Sequence, residues 1–262
     1  MLPVIGLVFL VAGGGLLWLS RQRLQHAATL MATETSTVGA LTQLAGEVAA
    51  EVGAGSFRQR VELKGTLRSP EPLTGELSRQ RCAQVVTRVQ RRYEETVERT
   101  DSHGTTVREN RTGTETVSEL RRVAPALVED VTGQVPLDLE GASVELTKVV
   151  DRFEPHSARV EQDILSLFAH AVGTPGAGRR TLGYQFTEEI LPLDRAVFVL
   201  GEAVDEGGRL RVRKGPDGLV VSFKSEEQLV GEARSSAKWA RVGAVACALA
   251  GAGMVLGGLF VK

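Results

Sequence analysis

The sequence predicts an α+β protein: a β-rich, barrel- or sheet-like soluble domain with one or two amphipathic helices, flanked by two transmembrane helices. Three observations carry this. Leu2 to Leu19 and Val242 to Val261 contain no charged residue, and about 20 apolar residues are enough for a helix to cross a bilayer. Val61, Leu63 and Leu67 alternate with polar residues, the period of a half-buried strand. Val160, Ile164, Leu167, Phe168 and Ala171 recur at helical spacing. The chain divides into a first transmembrane helix (2–19), a juxtamembrane helical stalk (20–55), a soluble domain (56–230), a helix leading into the membrane (225–241) and a second transmembrane helix (242–261).

Met1-Leu2-Pro3-Val4 lacks the positive start of a cleaved signal peptide, and Arg21 and Arg23 follow the apolar run instead. Arg234, Lys238 and Arg241 precede the second run. By the positive-inside rule both flanks put the central domain in the cytoplasm, as an integral two-pass protein. Trp18 and Trp239 stand where indole rings prefer to stand, at the ends of the spans.

Between the spans the periodicity changes several times. Leu24, Leu30, Leu41, Leu44 and Val48 suggest a helical stalk, broken near Thr33 to Thr37 and ended by Gly53 and Gly55. Strands are expected from Phe57 to Leu67, from Cys82 to Val97 and from Thr105 to Val117, with a turn at Asp101 to Gly104. A hairpin follows over Val123 to Val128 and Val135 to Leu139, turning at Asp130 to Gly133. After the helix lie strands at Thr181 to Phe186, Ala196 to Leu200, Leu210 to Arg213 and Leu219 to Phe223. Ser225 with Gln228 three residues later is a capping box that opens the last helix.

The chain has 262 residues and a formal net charge of -1, which argues against a nucleic-acid partner. Arg91-Arg92, Arg121-Arg122 and Arg179-Arg180 read as solvated faces. Of the 2 cysteines, Cys247 lies in the second span, so Cys82 has no partner in the soluble part and no disulfide framework exists. Cys82 reads as a small buried thiol.

No catalytic residue, metal site or cofactor is expected. Gly173-Thr174-Pro175-Gly176-Ala177-Gly178 lacks a Walker lysine and reads as a loop. His26, His103, His156 and His170 have no ligand spacing. Glu188 and Glu189 would face opposite sides of a strand. In the second span Gly243, Cys247 and Gly251, and Gly253 and Gly257, repeat every fourth residue, a spacing that lets membrane helices approach closely.

Several pieces occur in a telling order: Gly65-Thr66-Leu67; Pro72-Leu73-Thr74-Gly75 and then Cys82; Glu129-Asp130-Val131-Thr132-Gly133; Gly183-Tyr184-Gln185-Phe186-Thr187-Glu188-Glu189-Ile190-Leu191-Pro192; Val197 to Ala203 with Gly201; and Ser222 to Leu229. From about Arg60 to Lys262 this order resembles the GIDE family of mitochondrial ubiquitin ligase activators (Mulan-like), whose middle part is called the BAM, "beside a membrane", domain. The resemblance implies motif positions at Gly65, Gly75, Cys82, Asp130, Gly133, Gly183, Tyr184, Glu188 and Gly201. In the eukaryotic ligases a zinc-binding RING follows the second membrane helix. Here the sequence ends at Val261-Lys262, and its cysteines cannot build that site.

The expectation is therefore a non-enzymatic, membrane-anchored GIDE/BAM-type binding or adaptor protein, in contact with the bilayer and with a protein partner or small ligand, and able to form homo-oligomers. One alternative is a component of a ubiquitin-ligase-like system with the RING on another chain. Another is a membrane effector that oligomerises and perturbs the bilayer.

Overall fold

The computed structural model describes residues 7–8, 11–18, 21, 34–100, 106–168 and 178–260, with the side chains at 99–100, 106–107, 226, 233 and 255–260 excepted. The core of the molecule is a small barrel. Its five strands are β2 (Arg58–Arg68), β6 (Ala126–Asp130), β7 (Gly133–Leu137), β11 (Ala196–Glu206) and β12 (Arg209–Arg213). They pair in the order β2-β6-β7-β12-β11, and β11 returns to β2 to close the ring. Every contact is antiparallel except β7 with β12, where Val212 pairs Leu137 in parallel. A closed ring of five short strands is the architecture of small barrels such as the OB-fold, and closure removes exposed strand edges. Three short strands flank it: β1 (Thr35–Ser36) beside β2, β13 (Val220–Ser222) beside β11, and β8 (Ser143–Val144) beside β13.

Inward residues alternate along these strands. Val61, Leu63, Leu67, Val128, Val135, Val199, Ala203 and Val212 belong to one buried cluster. The barrel needs close backbone contact where strands cross. A Cβ on Gly65 would lie 2.5 Å from the Glu129 carbonyl oxygen, and one on Gly201 would lie 2.7 Å from Leu219 Cδ1.

Helix α1 (Val38–Val52) seals the barrel. Val38, Leu41 and Ala45, one per turn, are buried in the same cluster as the barrel residues. So the expected stalk over 20–55 is, in its described part, a docked helix. Leu44, read as part of its apolar stripe, is partly exposed instead. Gly53 ends the helix at φ 107°, a conformation that favours glycine.

A second sheet is built from two insertions into the barrel. Between β2 and β6 the chain forms β3 (Leu73–Thr74) and the long hairpin β4 (Arg81–Thr100) and β5 (Thr106–Val123). Between β8 and β11 it forms β9 (Thr147–Pro155), α2 (Ala158–Phe168) and β10 (Arg179–Pro192). The insertions meet through β4 and β10, paired from Cys82 with Pro192 out to Glu95 with Arg179. Beyond Glu95, among the described residues, the hairpin strands pair only with each other. The expected turn at 101–104 and loop at 173–177, with His103 and His170, lie outside the described residues. Strand β9 was not foreseen in the sequence.

The last helix, α3 (Glu226–Phe260), is one continuous rod of 35 residues. Its capping box is formed: Ser225 N–H donates to Gln228 Oε1 at 3.0 Å, and Gln228 N–H to Ser225 Oγ at 3.4 Å. Val230 anchors its first turns against Phe198 and Leu200. Among the described residues no helix is long and apolar enough to cross a membrane. The expected span 2–19 lies partly outside those residues. So do the side chains of 242–261 from residue 255 onward, and the described first half of α3 is diluted by Arg234, Lys238 and Arg241. Residues 11–18 are helical and lie against α3.

Candidate functional site

Most of the residues singled out in the sequence gather into three clusters, two of them buried, and one helix pair, while Gly65 and Gly201 lie in the barrel. The first lies under α2. On the covered face of the second sheet, Tyr184, Phe186 and Val89 meet Val160 and Ile164 of the helix. Tyr184 is fully buried, and its hydroxyl donates to Glu161 Oε1 at 3.0 Å. Burial, and then the neighbouring Glu161 carboxylate, push the Tyr184 pKa up to about 12. A Cβ on Gly183 would collide with the Glu154 carbonyl oxygen at 2.4 Å, and the pairing of β10 with β4 shifts register next to it. His156 Nδ1 lies 3.6 Å from the same Glu161 oxygen.

The second cluster joins β3 to β10. Glu188 is fully buried while Glu189 is half-exposed, as strand alternation requires. The Glu188 carboxylate accepts the backbone N–H of Leu77 at 2.8 Å, that of Ser78 at 2.9 Å, and the Thr87 hydroxyl at 3.2 Å. Burial would raise its pKa, but these donors and the Ser78 hydroxyl outweigh it and hold the carboxyl below the usual range. This group stays ionised and is tied on all sides, which suits a structural bolt rather than an acid or base. Nearby, Cys82 is fully buried against Val85 and Ile190. Burial, and then the Glu188 charge, push its thiol up to about 11. At neutral pH it carries no appreciable thiolate.

The third cluster ties the β6–β7 turn to α1. Asp130 Oδ2 accepts the Val38 N–H at 2.8 Å, and its Oδ1 accepts the N–H groups of Thr132 at 2.7 Å and Gly133 at 3.0 Å. Thr132 in turn takes the Gly39 N–H at 2.7 Å. A carboxylate at the exposed amides of a helix start is favourable for both bonding and dipole. Burial opposes ionisation here, but these donors prevail and lower the pKa.

Two open grooves flank these clusters. One, of about 590 Å³, is lined by Val123, Pro125, Leu127, Pro136, Leu139 and Arg211 at the junction of barrel and second sheet. The other, of about 550 Å³, runs between β9 and the start of α2 and is lined by Arg152, Glu154, His156, Arg159 and Asp163. Among the described residues no group of His, Cys, Asp and Glu is arranged to hold a metal ion.

The small residues of α3 meet the N-terminal helical segment. A Cβ on Gly13 would lie 3.2 Å from the Ala244 carbonyl oxygen and 3.5 Å from Cys247 Cβ, and one on Gly243 would lie 3.5 Å from Leu16 Cδ1. Gly251 is buried, whereas Gly253 has nothing within 4 Å of its added Cβ. The side-chain surroundings of Gly257 fall outside the described residues.

A family model described as GIDE, E3 ubiquitin ligase, matches residues 94–257. The chain belongs to the GIDE family. The match runs from the outer half of β4 to near the end of α3, so it takes in Asp130, Gly133, Gly183, Tyr184, Glu188 and Gly201. Gly65, Gly75 and Cys82, also read as GIDE motif positions, lie before it. Neither the curated proteins nor the solved structures yield a match.

Some participants were not legible in advance. Glu161 showed only as a polar helix residue, yet it receives Tyr184. Arg91 was read as half of a solvated pair, yet it is buried and its Nε donates to Glu115 Oε1 at 2.5 Å. Its partner Arg92 instead lies over the Phe153 ring, 5.4 Å from the centroid. Strand alternation alone could have separated the two arginines.

Proposed function

We propose that this GIDE-family chain is a two-pass, membrane-anchored binding or adaptor protein. Its β domain engages a protein partner or small ligand on the cytoplasmic side, and its two apolar ends hold that domain at the bilayer. One observation carries the anchoring: Gly13 sits against Ala244 and Cys247 at backbone distance. Close approach of small residues is how helices associate where no hydrophobic driving force separates them from solvent. The charge-free runs that flank the contact supply the length. The binding role is supported by the two open grooves, whereas the polar atoms of the clusters at Tyr184, Glu188 and Asp130 are engaged in holding the fold.

The test is quantitative mass spectrometry of what co-purifies with the full chain from gently solubilised membranes. A stoichiometric protein partner supports the adaptor reading. Recovery of the chain in the soluble fraction after an alkaline wash of the membranes would remove the anchoring.

A second reading is favoured by the family description itself, E3 ubiquitin ligase. In it the chain is one component of a ubiquitin-transfer system whose RING lies on another chain. Co-purification of a RING-bearing protein and ubiquitin transfer in the reconstituted mixture would support it. A mixture with that partner present and no transfer would remove it.

A further inference from the structure

The two helical ends carry more than apolar length. Their contacts run antiparallel: Gly13 meets Ala244 and Cys247, and three residues later Leu16 meets Gly243. At 1.5 Å rise per residue, continuing this register brings Trp18 level with Arg241, and Arg21 level with Lys238. Trp239 falls within about one helical turn of Trp18 along the axis. Trp18 is 61% exposed and Trp239 72% exposed, so neither indole is used to pack the pair. Arg21, Lys238 and Arg241 are exposed as well.

The charges at this level are of one sign. The first acidic residue of the chain is Glu34 and the last is Glu232. Before Glu34 and after Glu232, the stretches that enter the helix pair therefore supply arginine and lysine with no carboxylate. Two outward indoles mark the depth of a headgroup layer. A cluster of basic side chains at that depth attracts anionic headgroups.

We infer that the band formed by Trp18, Arg21, Lys238, Trp239 and Arg241 is a binding surface for anionic phospholipid headgroups. The inference rests on the membrane-anchored reading and adds a lipid class to it. The band would hold the helix pair at a set depth and favour a negatively charged leaflet. The occupant is the lipid phosphate in its bilayer, rather than free phosphate, because the aromatic side chains flank the charges and supply an apolar contact that a free ion cannot use.

The experiment uses the full chain in two arms. In the first, it is reconstituted into phosphatidylcholine vesicles with and without phosphatidylglycerol and floated after an alkaline wash. Failure to float with either composition would overturn the membrane reading and this inference together. In the second, the protein is extracted in a mild detergent and the retained lipids are counted by native mass spectrometry. Retention of phosphatidylglycerol over phosphatidylcholine is expected, with each basic side chain removed by Arg21→Gln, Lys238→Gln or Arg241→Gln reducing that preference about fivefold. The charge-conserving set Arg21→Lys, Lys238→Arg and Arg241→Lys should retain it. Equal retention of the two lipids by the wild-type chain that floats, or an unchanged preference in the triple glutamine variant, would overturn the lipid inference alone. So would loss of the preference in the charge-conserving set.

Discussion

Glu188 occupies the space that a side chain on Gly75 would need: a Cβ built there would lie 2.5 Å from Glu188 Oε1 and 2.6 Å from Ser78 Oγ. The glycine lets the 75–79 turn fold over the carboxylate closely enough for Leu77 and Ser78 to donate to it. Gly75→Ala should therefore destabilise the domain by about 1–3 kcal/mol, the usual range for forcing atoms into a packed site. Glu188→Gln should cost about 1.5–3 kcal/mol, because an ionised acceptor is replaced by an amide that presents a donor to donors. The Glu188 carboxyl has a lowered pKa in the folded state. It stabilises the fold above its unfolded value of about 4.3, and that contribution is lost as pH falls through the folded value. Urea denaturation of both forms at neutral pH and near pH 4 checks this. The gap between wild type and Glu188→Gln should shrink on acidification; a constant gap would refute the charge argument.

How much of this arrangement was legible depends on the range of each interaction. The inward alternation of Val61, Leu63 and Leu67 and the four-residue step from Val160 to Ile164 are local, and strands and helix stand where they indicate. The Ser225–Gln228 box is local too. Barrel closure is not local, since it joins β2 to β11 across more than half the chain. Strand β9 escaped because its alternation is broken by Asp151, Arg152 and Glu154, which form ion pairs within the strand, Lys148 with Asp151 and Arg152 with Glu154. The buried role of Glu188 shows only as an acidic residue at an inward strand position. Its donors come from a turn about 110 residues earlier, at sequence separations of 111 and 110.

Asp130 makes a prediction about α1. It accepts the first helical amide of Val38 and closes its own turn through Thr132 and Gly133. Asp130→Ala should cost about 0.5–2 kcal/mol, the range for losing a helix cap. The effect should be local, so amide exchange at Val38 and Gly39 should accelerate more than exchange in β10. Its folded pKa is lowered, so this contribution is present above the unfolded value of about 3.9 and fades as pH falls below it. Uniform acceleration across the domain would mean that α1 is not docked as a separable element.

Cys82 should be inert while the domain is folded. Its thiol is fully buried and its pKa is about 11, and only the thiolate is nucleophilic. At pH 8 a water-soluble maleimide should leave it unmodified for as long as the fold persists and should label it on addition of denaturant. Cys82→Ser places a hydroxyl among Val85, Ile190 and Leu73 and should cost about 1–3 kcal/mol. Cys82→Ala should be milder in polarity but leave a small void. Rapid labelling of the native protein, mapped to Cys82 by peptide mass, would overturn the structural assignment.

Tyr184 reports on how α2 is held. Its pKa of about 12 arises from burial first and from the hydrogen bond to Glu161 second. A tyrosine whose folded pKa is raised stabilises the fold below its unfolded value of about 10, and this is lost as pH rises through the folded value. Alkaline titration of phenolate absorbance should show one tyrosine ionising late, near pH 12, and Tyr184→Phe should remove that step. The phenylalanine variant keeps the ring against Phe186 and Ile164 but leaves Glu161, itself on the helix surface, free to reach water. The loss should therefore be only about 0.5–1.5 kcal/mol. Val160→Ala and Ile164→Ala should cost more, Ile164→Ala about 2–5 kcal/mol, because they delete buried side chains of the helix itself. If Tyr184→Phe proved the more damaging change, the helix would be held chiefly by its polar contact, and the apolar docking of α2 on the second sheet would have to be abandoned.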